Sequence, residues 1–171
     1  MNLKKPEIPG TVDEVDWSSW QPTERAVLCY LTSDDHLLLI HKKTGLGAGK
    51  VNAPGGRIDP GETPLEAAVR ETEEETGIIP LDPVQRAEVS FIFTNGYSLK
   101  GEIFFARNYG GTMLKETKEA IPFWCPVNEI PYADMWEDDI HWLPLALGGQ
   151  YVRGFFIFDE DKMLSHRIVS P

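Results

Sequence analysis

The sequence predicts an α/β domain in which helices cover both faces of a mixed sheet. Three features carry that prediction. Leu65 to Thr76 lacks Gly and Pro and lies between a capping signature and a glycine stop. Apolar runs separated by turn residues flank it on both sides. A second helical segment is expected near Pro131 to Leu147, and helices on both faces are a stable way to cover a sheet.

At 171 residues the chain fits one domain with a proper core. Residues 1–24 are rich in Pro, Ser and acids and read as an irregular arm. Its Trp17 and Trp20 are expected to pack on the body of the domain, residues 25–171, rather than on a partner. Ala26 to Thr32 and His36 to His41 read as two strands around Ser33, Asp34 and Asp35. Leu37 to Ile40 is continuously apolar, as in a strand buried on both faces. The Gly-rich loop KKTGLGAGKVNAPGG follows, and it lacks the residue order of a P-loop. Its glycines fit tight turns. Its lysines, Lys42, Lys43 and Lys50, fit either a solvated loop or contact with substrate phosphates. Asn52 fits an Asx turn or the reading of a base edge.

In the predicted helix, Thr63, Pro64 and Glu66 form a capping box with proline at the first helical position, and Gly77 ends it. Glu71, Glu74 and Glu75 fall at i, i+3 and i+4 on one side. Three like charges that close repel. A hard divalent cation such as Mg²⁺ offsets the repulsion, and a backbone oxygen of Gly55 or Gly56 is a suitable further ligand. A solvated acidic helix is the plainer reading of the same spacing.

Val89 to Phe93 and Leu99 to Ala106 read as strands, with Phe91 and Phe93 on one face and Phe104 and Phe105 facing opposite ways. Gly110 to Glu119 reads as a loop, Ile121 to Val127 as a strand weakened by Pro122, and Val152 to Phe158 and Met163 to Val169 as closing strands. Trp136 followed by Glu137, Asp138 and Asp139 has two readings. The acids cap a solvated helix, or they face a purine as a pair sharing one proton while the indole stacks on it. Trp142 and Pro144 read as walls of the domain.

The net charge of −11 disfavours a broad nucleic-acid surface but allows a small anionic substrate with a metal. Cys29 and Cys125 sit in apolar surroundings without disulfide or metal-ligand spacing, as expected of a reducing cytoplasm. The MNLKK start offers no apolar core for a signal peptide, and no stretch is long and apolar enough to span a bilayer.

The pattern G-x5-E-x7-R-E-U-x-E-E-x-G-U, met by Gly56, Glu62, Arg70, Glu71, Glu74, Glu75, Gly77 and Ile78, resembles the Nudix box. Its one departure is Thr72, where an aliphatic residue is usual. The resemblance implies a Nudix α/β/α sandwich with a curved mixed sheet. It implies metal binding by Glu71, Glu74 and Glu75, with the Gly56 carbonyl, and a loop held by Glu62 and Arg70. Any of Glu74, Glu75 and Glu119 fits the general base. Outside the box, KKTGLGAGKVN, EIPYADMWEDDIHWLPL and GFFIF are similar to the branch of the family that hydrolyses oxidised purine nucleoside triphosphates. That likeness implies base reading by Asn52, Asp138 and Asp139, stacking on Trp136, a pocket lined by Phe91 and Phe93, and help near the metals from Glu119. Pro54, Leu46 and Ala120 depart from it, each removing bulk or polarisable contact. The implied reaction gives a monophosphate and pyrophosphate with Mg²⁺, for which Mn²⁺ substitutes. The expected partner is a small-molecule nucleotide, with no long nucleic acid and no membrane, and the expected state is a monomer. The alternatives are a Nudix hydrolase of RNA 5′ triphosphate ends or dinucleoside polyphosphates, and a non-catalytic nucleotide-binding module.

Overall fold

Asp34 and Asp35 both adopt positive φ, 49° and 58°, the left-handed pair that a two-residue hairpin needs and Asp tolerates. They join β1 (Glu24–Ser33) to β2 (His36–Lys42), with Ser33 opposite His36. The structure, a computed structural model, describes residues 7–171. The MNLKK start, on which the expected lack of a leader rests, lies outside them.

The two-residue period of β1 sorts its side chains between two layers. Val27 and Cys29 cluster with Ala67 and Ala68 of α1 (Pro64–Thr76). Tyr30 belongs to a second cluster with Trp142, Leu143 and Ala146 of α2 (Asp139–Leu147), and Leu28 packs against it. The sheet therefore lies between the two helices. Its remaining strands are β3 (Val51–Asn52), β4 (Gly55–Arg57), β6 (Val84–Phe93), β7 (Ser98–Ala106), β9 (Ala120–Pro126), β10 (Val152–Asp159) and β11 (Lys162–Val169). Among the described residues this is one nine-stranded sheet, ordered β11-β10-β6-β7-β1-β2-β3, with β4 on β1 and β9 on β2. It is mixed: β1 runs parallel to β7 and β6 to β10. Leu37 to Ile40 are at most 1% exposed, as their unbroken hydropathy requires. Phe104 and Phe105 do face opposite layers. Among the described residues β9 pairs with β2 alone, so Pro122 sits at an edge, where the missing N–H is tolerated.

Two expectations change. The second helix starts at Asp139, not near Pro131. Pro131 instead leads into a 3₁₀ turn (Tyr132–Asp134), and Met135 is extended and buried in the core. Gly110 and Gly111, expected in a loop, belong to β8 (Asn108–Gly111), which pairs with β5 (Ile78–Leu81). A Cβ at Gly111 would stand 2.3 Å from the Gly77 carbonyl oxygen, so two glycines permit that approach. In the arm, Val12 is buried with Ile92 and Ile157, and Trp17 lies edge-on to Trp20 and 4.9 Å from Phe155. Among the described residues no helix is long and apolar enough to cross a membrane.

Candidate active site

The frame of the site is α1. Thr63 accepts from the Glu66 amide at 3.2 Å, and the Glu66 carboxylate accepts from the Thr63 amide at 3.1 Å. Gly77 closes the helix in the left-handed conformation, φ 78°. Thr72, the polar departure in the box, is fully buried, yet its hydroxyl donates to the Ala68 carbonyl at 2.7 Å. Its polar atom is thereby satisfied inside the helix.

α1 faces β4 and the loop before β9, and carboxylates converge there. Oxygens of Glu71, Glu75 and Glu119 lie within 4.8 Å of one another. Glu75 is only 2% exposed and accepts from the Gly55 amide at 3.0 Å. Burial, reinforced by Glu71 and Glu119, pushes its carboxyl up to about 8. Glu71 is raised as well, by burial first, against the pull of Arg70. Charges held this close without compensation are costly. Converging carboxylate oxygens fit a hard divalent cation, which favours oxygen donors and relieves the repulsion. At Gly56 a Cβ would sit 2.5 Å from the Glu71 carboxyl carbon, so a larger residue there would push that carboxylate out of its place in the cluster.

Glu74 stands outside this group. It accepts from Arg70 Nη1 at 3.2 Å. Arg70 organises the neighbouring loop: Nε and Nη2 grip both Glu62 oxygens, at 2.6 and 2.9 Å, and Nη2 also reaches the Arg57 carbonyl. Glu62 accepts from the Asp59 amide too. The guanidinium holds the Glu62 carboxyl down to about 2. The loop-holding pair is thus in contact, as a bidentate ion pair.

A cavity opens beside the acid cluster. Gly55, Gly56 and Lys42 line it, as do the aromatic rings of Phe91, Phe93 and Trp136. Phe93 meets Trp136 edge-on, with centroids 6.1 Å apart. Lys42 is partly buried, and Glu75, Glu119 and Glu71 oppose the lowering of its pKa by burial. Lys43 and Lys50 do not line the cavity. Lys43 pairs with Glu116 at 2.7 Å, and Lys50 pairs with Asp161 while lying 5.2 Å over the Trp136 ring. Gly45, Gly47 and Gly49 all take positive φ, as tight turns demand. Gly47 also abuts Trp136, where a Cβ would meet the indole nitrogen at 2.7 Å. Asn52 lines the cavity while its Oδ1 accepts from the Ala53 amide at 2.8 Å, which leaves its NH₂ as the donor available to the cavity. Of the three departures from the oxidised-purine branch, Leu46 is in the lining and Pro54 and Ala120 are not.

Asp138 and Asp139 also line the cavity and are 2% and 3% exposed. The reading of these acids as a solvated helix cap is wrong: Asp138 makes no side-chain capping bond. Its Oδ2 instead accepts from Trp142 Nε1 at 2.9 Å. Asp138 Oδ1 and Asp139 Oδ2 are buried with no partner among the described residues. Burial raises both carboxyls, Asp138 to about 7, and the negative field of Asp138 raises Asp139 further. A pair placed this way can hold one proton and offer both a donor and an acceptor to a ligand.

Sequence reasoning passed over Trp142, which is not merely a wall. Its place four residues after Asp138, one helical turn on, was the available signal.

The NUDIX domain model matches residues 22–146. Over 144 residues the chain is 37% identical to the oxidized purine nucleoside triphosphate hydrolase of Mus musculus, covering 82% of this chain and 91% of that protein. The protein of the same name from Danio rerio matches with equal identity and coverage. Among solved structures, a MutT protein from Bacillus halodurans aligns with a TM-score of 0.76 at 29% identity, over 85% of this chain and 97% of that one.

Proposed function

The chain belongs to the Nudix family, and from that premise we propose that it hydrolyses oxidised purine (deoxy)nucleoside triphosphates, such as 8-oxo-dGTP or 2-hydroxy-dATP. The products are the monophosphate and pyrophosphate, and the cofactor is Mg²⁺, with Mn²⁺ as a substitute. The role is removal of damaged nucleotides from the pool, by a monomer in the cytoplasm, before they enter DNA. The Mus musculus and Danio rerio relatives, whose names carry this activity, support the substrate class.

One observation carries the base: the buried Asp138–Asp139 pair, with unpartnered oxygens, in a cavity walled by aromatic rings. An oxidised purine differs from the normal one in its donors and acceptors, and a pair sharing one proton can match the altered pattern. In this reading Phe91, Phe93 and Trp136 hold the ring plane and Asn52 donates to the base edge. The triphosphate then runs past Lys42 and Gly56 toward Glu71, Glu75 and Glu119. Those three carboxylates, with the Gly56 carbonyl and with Glu74, which shares Arg70 with Glu71, would hold the cation. A divalent cation held by these residues would supply acidification of the attacking water and neutralisation of phosphate charge. Arg70 and Glu62 keep the loop against the helix, and the buried Glu75 keeps a basic carboxylate near the reacting phosphoryl group. The described part of the arm, through Trp17 and Trp20, packs on the Nudix domain of residues 25–171.

The test is kcat/KM with Mg²⁺ on 8-oxo-dGTP, 2-hydroxy-dATP, the four plain dNTPs, a dinucleoside polyphosphate and a 5′-triphosphate RNA. The oxidised purines should lead. An enzyme that leaves both intact while cleaving another substrate well sinks the proposal.

A further inference from the structure

Among the described residues, two carboxyl oxygens of the cavity lining, Asp138 Oδ1 and Asp139 Oδ2, are buried without a hydrogen bond, and so is the hydroxyl of Tyr30, whose ring packs on Trp142 of the same lining. Tyr30 is fully buried in β1. Its ring stacks on Phe105 at 5.3 Å and meets Trp142 edge-on at 5.9 Å, which fixes the side chain. The titratable groups acting on its hydroxyl are Asp139, Asp138 and Tyr132. Burial and these neighbours push the phenol well above its ordinary range, so it remains a donor at any working pH. Asp138 already accepts one fixed donor, Trp142 Nε1. A second permanent donor beside two carboxyls that share a proton stabilises whichever oxygen is ionised.

We propose that Tyr30 is a positioning residue for specificity: its hydroxyl donates to the carboxyl pair and decides which of Asp138 and Asp139 meets the base as acceptor and which as donor. The bond forms by rotation of a carboxyl group or through one bridging water, and either route satisfies the three orphaned oxygens. This inference rests on the base-reading role proposed above for the pair.

Tyr30→Phe keeps both ring contacts and removes only the unpartnered hydroxyl. If the ring merely fills the core, the variant melts at the same temperature or slightly higher and changes nothing else. The inference expects two further shifts. KM for the oxidised purine triphosphate rises roughly tenfold, the scale of one hydrogen bond to a charged group, with kcat and plain dGTP little affected. The carboxyl titration of the pair, followed by ¹³C NMR of labelled aspartate without nucleotide, moves to higher pH because an ionised oxygen has lost a donor. Support requires both shifts. Asp139→Asn, measured in parallel, separates the two ideas. If it leaves the oxidised-to-normal ratio unchanged, the base-reading role falls and the inference with it. If it collapses the ratio while Tyr30→Phe moves neither KM nor the titration, the role of Tyr30 alone is overturned.

Discussion

Replacing Glu75 by Gln should make the protein more stable and nearly inactive. Glu75 is 2% exposed, and burial lifts its carboxyl from 4.5 to about 8. A folded-state pKa above the unfolded one means that the folded protein binds the extra proton. The associated stability is complete below about pH 4.5 and is lost as the pH rises through about 8. At 1.36 kcal/mol per pH unit the loss is at most roughly 4–5 kcal/mol, reduced by any relaxation of the site. Gln has nearly the same shape, its side-chain oxygen can still accept from the Gly55 amide, and it does not titrate. Metal-free Glu75→Gln should therefore match the wild type near pH 4.5 and exceed it increasingly toward pH 8.5. Mg²⁺ should reverse the order at high pH, because binding to the folded state alone adds stability and the variant has lost a ligand charge. Turnover should fall at least roughly 10²-fold, the scale of losing a positioned acid–base group. Urea denaturation from pH 4.5 to 8.5, with and without Mg²⁺, and kcat at saturating Mg²⁺ make the test. Equal Mg²⁺ stabilisation of both proteins, or near wild-type turnover, would refute the assignment of Glu75 to the metal cluster.

Other perturbations separate the parts of the site. Asp138→Asn and Asp139→Asn should each reduce the oxidised-to-normal ratio of kcat/KM by roughly 5- to 150-fold, the cost of an unpartnered polar group in a dry pocket. Because both carboxyls are buried with raised pKa and Asp138 makes no capping bond, neither variant should melt below the wild type at pH 8. Arg70→Lys loses the bidentate grip on Glu62 and should raise the Mg²⁺ needed for half-maximal rate, since a lysine cannot reproduce that fork. With Glu62 held at about 2, the contribution of this ion pair is present above about pH 4.5 and is lost only as the pH falls toward 2. Gly47→Ala places a Cβ 2.7 Å from the Trp136 nitrogen at φ 81°. It should raise KM and change tryptophan fluorescence while leaving kcat nearly intact.

Much of this protein is written locally. The capping box, the Gly77 stop and the turn at Asp34–Asp35 depend on neighbours a few residues away, so their residues specify them directly. The two-residue period placed Phe91 with Phe93 and separated Phe104 from Phe105. The spacing of Glu62, Arg70, Glu71 and Glu74 contained the ion-pair lattice around Arg70, because a helix turns spacing into proximity. Other features were settled between segments distant in the chain. Glu119 meets Glu71 and Glu75 only because the loop before β9 passes the end of α1, and no local pattern records that crossing. Glu74 has the spacing of a ligand, and in the fold it shares Arg70 Nη1 with Glu71. Lys43 and Lys50 look like Lys42 in sequence, yet ion pairs with Glu116 and Asp161 divert them from the cavity. Asp138 and Asp139 sit where helix caps sit, and burial beside Trp142 makes them a carboxyl pair instead. Desolvation is set by everything packed around a group at once. Local spacing was enough to nominate the residues for the chemistry. Which of them share a dry site, and hence have altered proton affinity, was settled by packing across the whole fold.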